Sequence, residues 1–366
     1  MNKIEKLIGN IKDGRTILGV GPMSWNCVDA IIDLANSKKI PTMMIASRRQ
    51  VETKELGGGY VADTETLAKY VKDRDVGGYV LLARDHGGPW QGTDEFDLPH
   101  DEAMRRCKQS YLADIAAGFD IIHLDPSLKS RPLDEILKDI KELHEFCQQT
   151  AKALDRSDLV YEVGTEEHNG QITEFKNFRY FLDAIKQWND GSIKFIVGNT
   201  GTYVKEIQNV GNFDENLATG LVAICNEYGF FLKEHNADYL PSLTMRRHPS
   251  LGIHSANIAP EFGVEETREL LYILKHNGLT KEYDEFIDLA YNSGKWKKWI
   301  KKENVNEPSI VEDKLYCATI CGHYVFSSNE FSKLKDNINK KINLDPLLFN
   351  RIKKSIEKYL IYFGEK

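Results

Sequence analysis

Eight short apolar runs, each ending in a polar cluster, set the rhythm of this chain. Thr16–Val20 runs into Gly21-Pro22-Met23-Ser24, Thr42–Ile45 into Ala46-Ser47-Arg48-Arg49-Gln50, and Tyr79–Ala83 into Arg84-Asp85-His86-Gly87-Gly88-Pro89. Ile121–Leu124 precedes Asp125-Pro126-Ser127, Leu159–Val163 precedes Gly164-Thr165-Glu166-Glu167-His168, and Phe195–Val197 precedes Gly198-Asn199-Thr200-Gly201. Phe230–Leu232 leads to Lys233-Glu234-His235-Asn236, and Leu251–Ile253 to His254-Ser255-Ala256-Asn257. Between these runs apolar residues recur at helical spacing, as in Leu133, Ile136, Leu137, Ile140, Leu143 and Cys147, or in Phe178, Phe181, Leu182, Ile185 and Trp188. Pro132 sits where a first helical turn tolerates proline.

Strand alternating with helix predicts a parallel sheet. Eight such units predict an α/β fold, a (β/α)8 TIM barrel spanning residues 1–280. In a barrel all eight polar strand ends converge on one mouth, whereas an open sheet would spread them along an edge. No Gly-x-Gly-x-x-Gly follows the first run, which argues against a dinucleotide fold. Beyond residue 280 the rhythm changes. Lys295–Lys302 is basic, aromatic and helical in pattern, Lys314–Val325 is apolar, and Asp345–Phe363 is amphipathic. Residues 281–366 are expected to form a helical C-terminal extension, packed on the barrel or on a partner subunit. The Trp/Lys segment reads first as a surface helix with snorkelling lysines, ahead of a binding role.

Composition narrows the function. A net charge of −7 leaves no basic excess for a nucleic-acid footprint. No apolar run is long enough to span a bilayer, and the charged start is not followed by a leader-like apolar segment. The six cysteines are scattered and form no Cys-x-x-Cys pair. With no leader expected, they suggest a reduced, cytoplasmic setting.

The candidate chemistry lies at the strand ends. An acid beside an imidazole, Asp85-His86, before a Gly-Gly-Pro loop is costly to leave without a partner. His123 and Asp125, two apart, share one face of a strand. A structural pairing and a functional one both stay open for His123; Asp125, at the strand end, is the stronger functional candidate. Glu166 lies where a mouth-facing carboxylate would sit, while Glu162 is either a core-facing acid or an outward, solvated one. His86, Glu166 and His235, from three strands, make a nitrogen and oxygen set suited to zinc or manganese. The Gly57-Gly58-Gly59 stretch can bring backbone N–H groups close to an anion, with Gly58 and Gly59 at its centre and Arg48 or Arg49 adding a charged fork. Arg84, Asn199 and Arg246 are further candidate substrate or phosphate contacts.

These residues, in order, resemble a known family. Ala46-Ser47 through Gln50-Val51 with Gly58-Gly59-Tyr60, Arg84-Asp85-His86 with Gly88-Pro89, Ile122-His123-Leu124-Asp125, Tyr161 with Gly164-Thr165-Glu166, His235 with Asp238-Tyr239, and Pro260 carry the likeness. Weaker likeness continues through Trp296-Lys297-Lys298 and Lys314-Leu315-Tyr316. The chain resembles the non-catalytic subunit family of class II D-tagatose-bisphosphate aldolase. The resemblance implies a TIM barrel related to class II zinc-dependent aldolases, with Asp85 as a proton donor or acceptor and His86 as a metal ligand. Some relatives of that subunit are ketose-phosphate 4-epimerases. It therefore implies retro-aldol or enediolate chemistry near a divalent metal, most simply zinc with manganese as the alternative, on a phosphorylated ketose. Asp125 and Glu166 are the other carboxylates within reach. The alternative is a non-catalytic subunit that stabilises a separate aldolase; a homo-oligomer is the other expected assembly. Class II aldolases carry further metal histidines on later strands. Here the sixth loop has none, and His254 is the candidate replacement.

Overall fold

A computed structural model of the chain describes residues 1–164 and 173–364. Eight parallel strands close into a barrel: β1 Ile17–Val20, β2 Thr42–Ser47, β3 Val80–Asp85, β4 Ile121–Leu124, β5 Val160–Gly164, β6 Ile193–Val197, β7 Phe231–Glu234 and β8 Ser255–Ile258. Neighbours follow chain order, and β8 returns to pair with β1, Ile17 beside Ser255 and Val20 beside Ile258. Helices such as Trp25–Lys38, His100–Ala117 and Leu133–Ala153 wrap the outside. This is the predicted (β/α)8 barrel with helices following it.

Period-two alternation divides each strand between two environments. Outward residues such as Leu18, Val20, Met44, Leu82, Ile122, Val163, Ile196 and Leu232 join the helices in the main core. Inward residues begin apolar: Ile17, Met43, Ile45, Leu81, Ala83, Ile121, Val160 and Phe195 fill the lower barrel. Leu7 and Ile11, from the amphipathic helix Lys3–Lys12, plug that end. Higher on the same strands the inward positions become polar: Asp85, His123, Glu162, Lys233 and Asn257 are all buried. The β4–β5 register sets His123 beside Glu162.

The eighth strand lies later than its apolar run suggested. Residues up to Leu251 continue the helix Ser242–Leu251, which Gly252 closes with a left-handed φ of 79°. The strand itself, Ser-Ala-Asn-Ile, shows only Ala256 and Ile258 to the outer core while Ser255 and Asn257 face inward. A strand that is polar on one face does not announce itself by hydrophobicity.

The segment after residue 280 contributes to two cores. Phe286, Trp296, Cys317, Ile320, Phe331 and Leu344 belong to a second apolar cluster. The final helix, Leu344–Tyr362, packs Ile352, Ile356, Tyr359 and Leu360 into the barrel's outer core, against helices Trp25–Lys38 and Pro260–His276. The Trp/Lys segment is not a surface helix. It forms short 3-10 turns, Lys295–Lys298 and Lys302–Asn304, with Trp296 buried.

Candidate active site at the barrel mouth

The mouth holds a cavity of about 360 Å3. Asp85, His86, His235 and Asn257 form its floor, and Arg49, Tyr60, Lys205, Lys298, Trp299 and Tyr324 line it as well. At and beneath this floor a charged cluster is assembled from three strands and the residue that follows β7. Asp85, His123, Glu162 and His235 each bring a ligand-type atom, all within 4.8 Å of one another. His235 Nε2 stands 3.2 Å from Glu162 Oε1 and 3.6 Å from Asp85 Oδ1. His123 Nδ1 stands 3.5 Å from Glu162 Oε1 and 3.9 Å from Asp85 Oδ1. A second set, His86, His123 and Asp125, shares His123 with the first.

The neighbours hold these groups in defined states. Lys233, buried beside the cluster on β7, donates from Nζ to Glu162 Oε2 at 2.6 Å. Burial alone would raise the Glu162 carboxyl; Lys233, His123 and His235 outweigh it and hold Glu162 well below the ordinary range. Asp85 is likewise lowered: burial opposes ionisation, and the His86, His235 and Lys233 charges prevail. Burial pushes His123 down to about 4, so its imidazole is neutral at pH 7. The His86 N–H donates to His123 Nδ1 at 3.3 Å, which leaves the proton on Nε2. That Nε2 has no hydrogen-bond partner among the described residues, a costly condition for a buried imidazole.

His86 is placed by backbone and side chain together. Its φ of 46° turns the chain sharply at the end of β3. Gly88 then passes so close to the Asp125 carbonyl that a Cβ would lie 1.7 Å from its oxygen. Asp125 Oδ2 meets His86 Nδ1 at 2.8 Å and accepts from Gln91 at 3.0 Å, while its other oxygen accepts from the Ser127 N–H and hydroxyl. With Nδ1 engaged by a carboxylate, His86 presents Nε2, which lies 3.9 Å from Asp85 Oδ2.

Other candidates from the sequence sit elsewhere. Asp125 is buried behind His86 and lies outside the cavity wall. Arg84 is spent on Asp114, at 2.6 and 2.7 Å, and on the Ala46 and Val51 carbonyls. Arg48 is spent on Glu52 and Glu95 and on the Gly88 carbonyl. Both arginines pin loops and have no reach to an anion. The glycine stretch is also committed: the N–H groups of Gly57, Gly58 and Gly59 donate to the carbonyls of Lys54, Thr53 and Ala62. Arg246 is exposed on its helix, over the Tyr362 ring. His254 precedes β8, at the plugged end of the barrel, where Nδ1 accepts from the Leu232 N–H at 2.9 Å beside Phe231. That position removes it from the ligand set. Glu166 lies outside the described residues. Arg49, Asn199, Asp85, His86 and His235 do line the cavity.

The sequence leaves Glu162 open between a core-facing and a solvated acid, and it does not single out Lys233 or Asn257 as site residues. Their signal was a polar residue inside a strand run, on the inward period.

No family model matches the chain. Over 122 residues it is 33% identical to the D-tagatose-1,6-bisphosphate aldolase subunit GatZ of Klebsiella oxytoca. The chain resembles the tagatose-bisphosphate aldolase subunit family. The matched stretch is 30% of this chain and 28% of that relative, so the chain spans little more than a quarter of the relative's length. Among solved structures, a probable tagatose 6 phosphate kinase from Sinorhizobium meliloti 1021 aligns over 95% of this chain and 100% of its own, with a TM-score of 0.72 at 17% identity. Fructose-bisphosphate aldolase from Campylobacter jejuni aligns over 99% and 95%, with a TM-score of 0.57 at 13% identity. At such identities these likenesses establish the fold. Neither sequence nor structure contains a helix, among the described residues, long and apolar enough to cross a membrane.

Proposed function

We propose that this protein is a divalent-metal-dependent carbon–carbon lyase or 4-epimerase acting on a phosphorylated ketose in the cytoplasm. The observation that carries the reading is the convergence of Asp85, His123, Glu162 and His235 at the base of the mouth cavity. Two imidazoles with carboxylates suit zinc or manganese. His123, His235 and Glu162 would hold the ion, with His86 joining from the second set. When bound, the ion would supply Lewis-acid polarisation of the ketose oxygens.

Asp85 faces the cavity, is held ionised, and is the base for the substrate's C4 hydroxyl. As that proton moves to Asp85, the C3–C4 bond breaks. Its electron pair passes into the C2 carbonyl to give an enediolate and a free aldehyde. Return of the proton and re-addition to the other aldehyde face inverts C4; release of the aldehyde completes an aldolase reaction. Asp125 acts one step removed, by fixing the orientation of His86. Lys233 keeps Glu162 charged. Residues 1–280 would supply this machinery, and Lys298, Trp299 and Tyr324 of the C-terminal segment join the cavity lining.

The test is metal content and turnover of purified protein, wild type and His123→Ala. Wild type is expected to carry one zinc or manganese per chain and to convert ketose phosphates to triose products or C4 epimers; chelation and the substitution should each abolish both. Full metal content in His123→Ala, or turnover untouched by Asp85→Asn, would defeat the assignment. The relative's description as an aldolase subunit favours a second reading, a partner that stabilises a separate aldolase. Turnover by the isolated chain decides between the two.

A further inference from the structure

Three cationic side chains line the cavity. Arg49 follows β2, Lys205 sits on the small ribbon Val204–Lys205 after β6, and Lys298 comes from the C-terminal segment. None of the three has an ion-pair partner among the described residues. They are the Lys and Arg side chains lining the cavity among those residues, and the sequence of residues 165–172 contains no Lys or Arg.

The arrangement is built. Lys205 Nζ donates to the Lys298 carbonyl at 3.1 Å. Lys298 lies over the Trp299 and Tyr324 rings, at 4.6 and 5.0 Å, and Tyr324 meets Tyr60 at 4.6 Å to join the C-terminal segment to the second loop. Glu206, next to Lys205, is the nearest acid along the chain. It is buried and committed to Asn304 at 2.8 Å and the Tyr316 hydroxyl at 2.9 Å, so it fixes the ribbon and leaves the lysines uncompensated. Burial first, then the Arg49, Lys295 and Lys205 charges, push the Lys298 ammonium down to about 7. Lys298 is exposed by area and is one of the residues lining the cavity. Three converging cations with no acid between them repel one another until an anion arrives.

The geometry points to a single-phosphate clamp: Arg49, Lys205 and Lys298 bind the phosphate of a sugar monophosphate, whose uncharged carbons extend toward Asp85 and His235. Among the described residues no second group of Lys or Arg lines the cavity to take a bisphosphate's other end. The inference deepens the function proposed above and rests on its placing of the substrate.

The test is calorimetric titration with inorganic phosphate, fructose, fructose 6-phosphate and fructose 1,6-bisphosphate. Wild type is expected to bind inorganic phosphate and the monophosphate, the sugar alone at least tenfold more weakly, and the bisphosphate no more tightly than the monophosphate. Lys205→Ala/Lys298→Ala, with unchanged Tm, should lose tenfold or more for both phosphate ligands. Affinity within twofold of wild type in that variant, or a tenfold preference for the bisphosphate, overturns the clamp. The two proposals fail separately. Phosphate binding by a chain that never turns over retires the lyase and keeps the clamp; turnover with the double variant at wild-type KM does the reverse.

Discussion

The two ends of the barrel are made by the same eight strands with the same inward alternation, yet they do opposite work. At the lower end Leu81, Ile121, Val160 and Phe195 close the barrel with Leu7 and Ile11 from the first helix. One step of two residues higher, or two, the same strands offer Asp85, His123 and Glu162. Apolar side chains can fill the lower barrel without any partner. Each charge in the upper barrel must find one, and the partners must come from neighbouring strands, because they too are buried. The apolar end therefore tolerates many sequences of suitable volume, and the charged end tolerates few.

Substitutions at the two ends should break this contrast in different ways. Phe195→Ala, in the lower cluster, should cost about 3–5 kcal/mol by leaving a cavity. Lys233→Met should cost a similar amount, about 3–5 kcal/mol, by leaving Glu162 charged and unpaired by any cationic side chain but histidine. Urea denaturation measures both. Adding Glu162→Leu to Lys233→Met should restore most of the stability, since an apolar pair replaces an ion pair at little cost, and should abolish metal binding by removing a ligand. A double variant that stays as unstable as Lys233→Met would show that the pair is not what holds that layer. A smaller effect is expected one shell out. Asp125→Asn should weaken metal affinity by about 10–100-fold with little loss of stability, because it loosens the orientation of His86. Titration of the apo protein with zinc checks this, and unchanged affinity would return Asp125 to a purely structural role.

Seven of the eight strands were legible because each presents apolar residues on both faces over at least part of its length. β8 was not, since Ser255 and Asn257 face inward and its apolar face holds two residues. The same logic limited the site. Asp85, His86 and His235 stand at strand ends, where a polar residue breaks an apolar run and draws notice. Glu162 and Lys233 sit within strands, where one charge looks like either a core partner or a solvated residue until the neighbouring strand is known; only the register decides. Arg48 and Arg84 illustrate the converse. They stand at the mouth in sequence, and nothing local reveals that Glu95 and Asp114, on remote segments, consume them. Lys205 and Lys298, 93 residues apart, meet only through the fold.

His254 gives the gentlest comparison between the ends, because it precedes β8 where its apolar run predicts a position after the strand. At the plugged end its Nδ1 accepts from the Leu232 N–H, which requires a neutral ring, and burial pushes it down to about 4. The unfolded chain, with an ordinary value near 6.5, binds the proton more readily throughout the interval between. Stability should therefore fall as pH drops from about 6.5 to about 4, by at most about 1.4 kcal/mol per unit from this group. His254→Gln keeps an acceptor for the Leu232 N–H and removes the titration, so its urea midpoint should decline less steeply than wild type between pH 6.5 and 4.5. Its metal content at pH 7 should match wild type. Parallel pH slopes would mean that the ring is not held neutral there, and lost metal would mean that the lower end reaches the site above it.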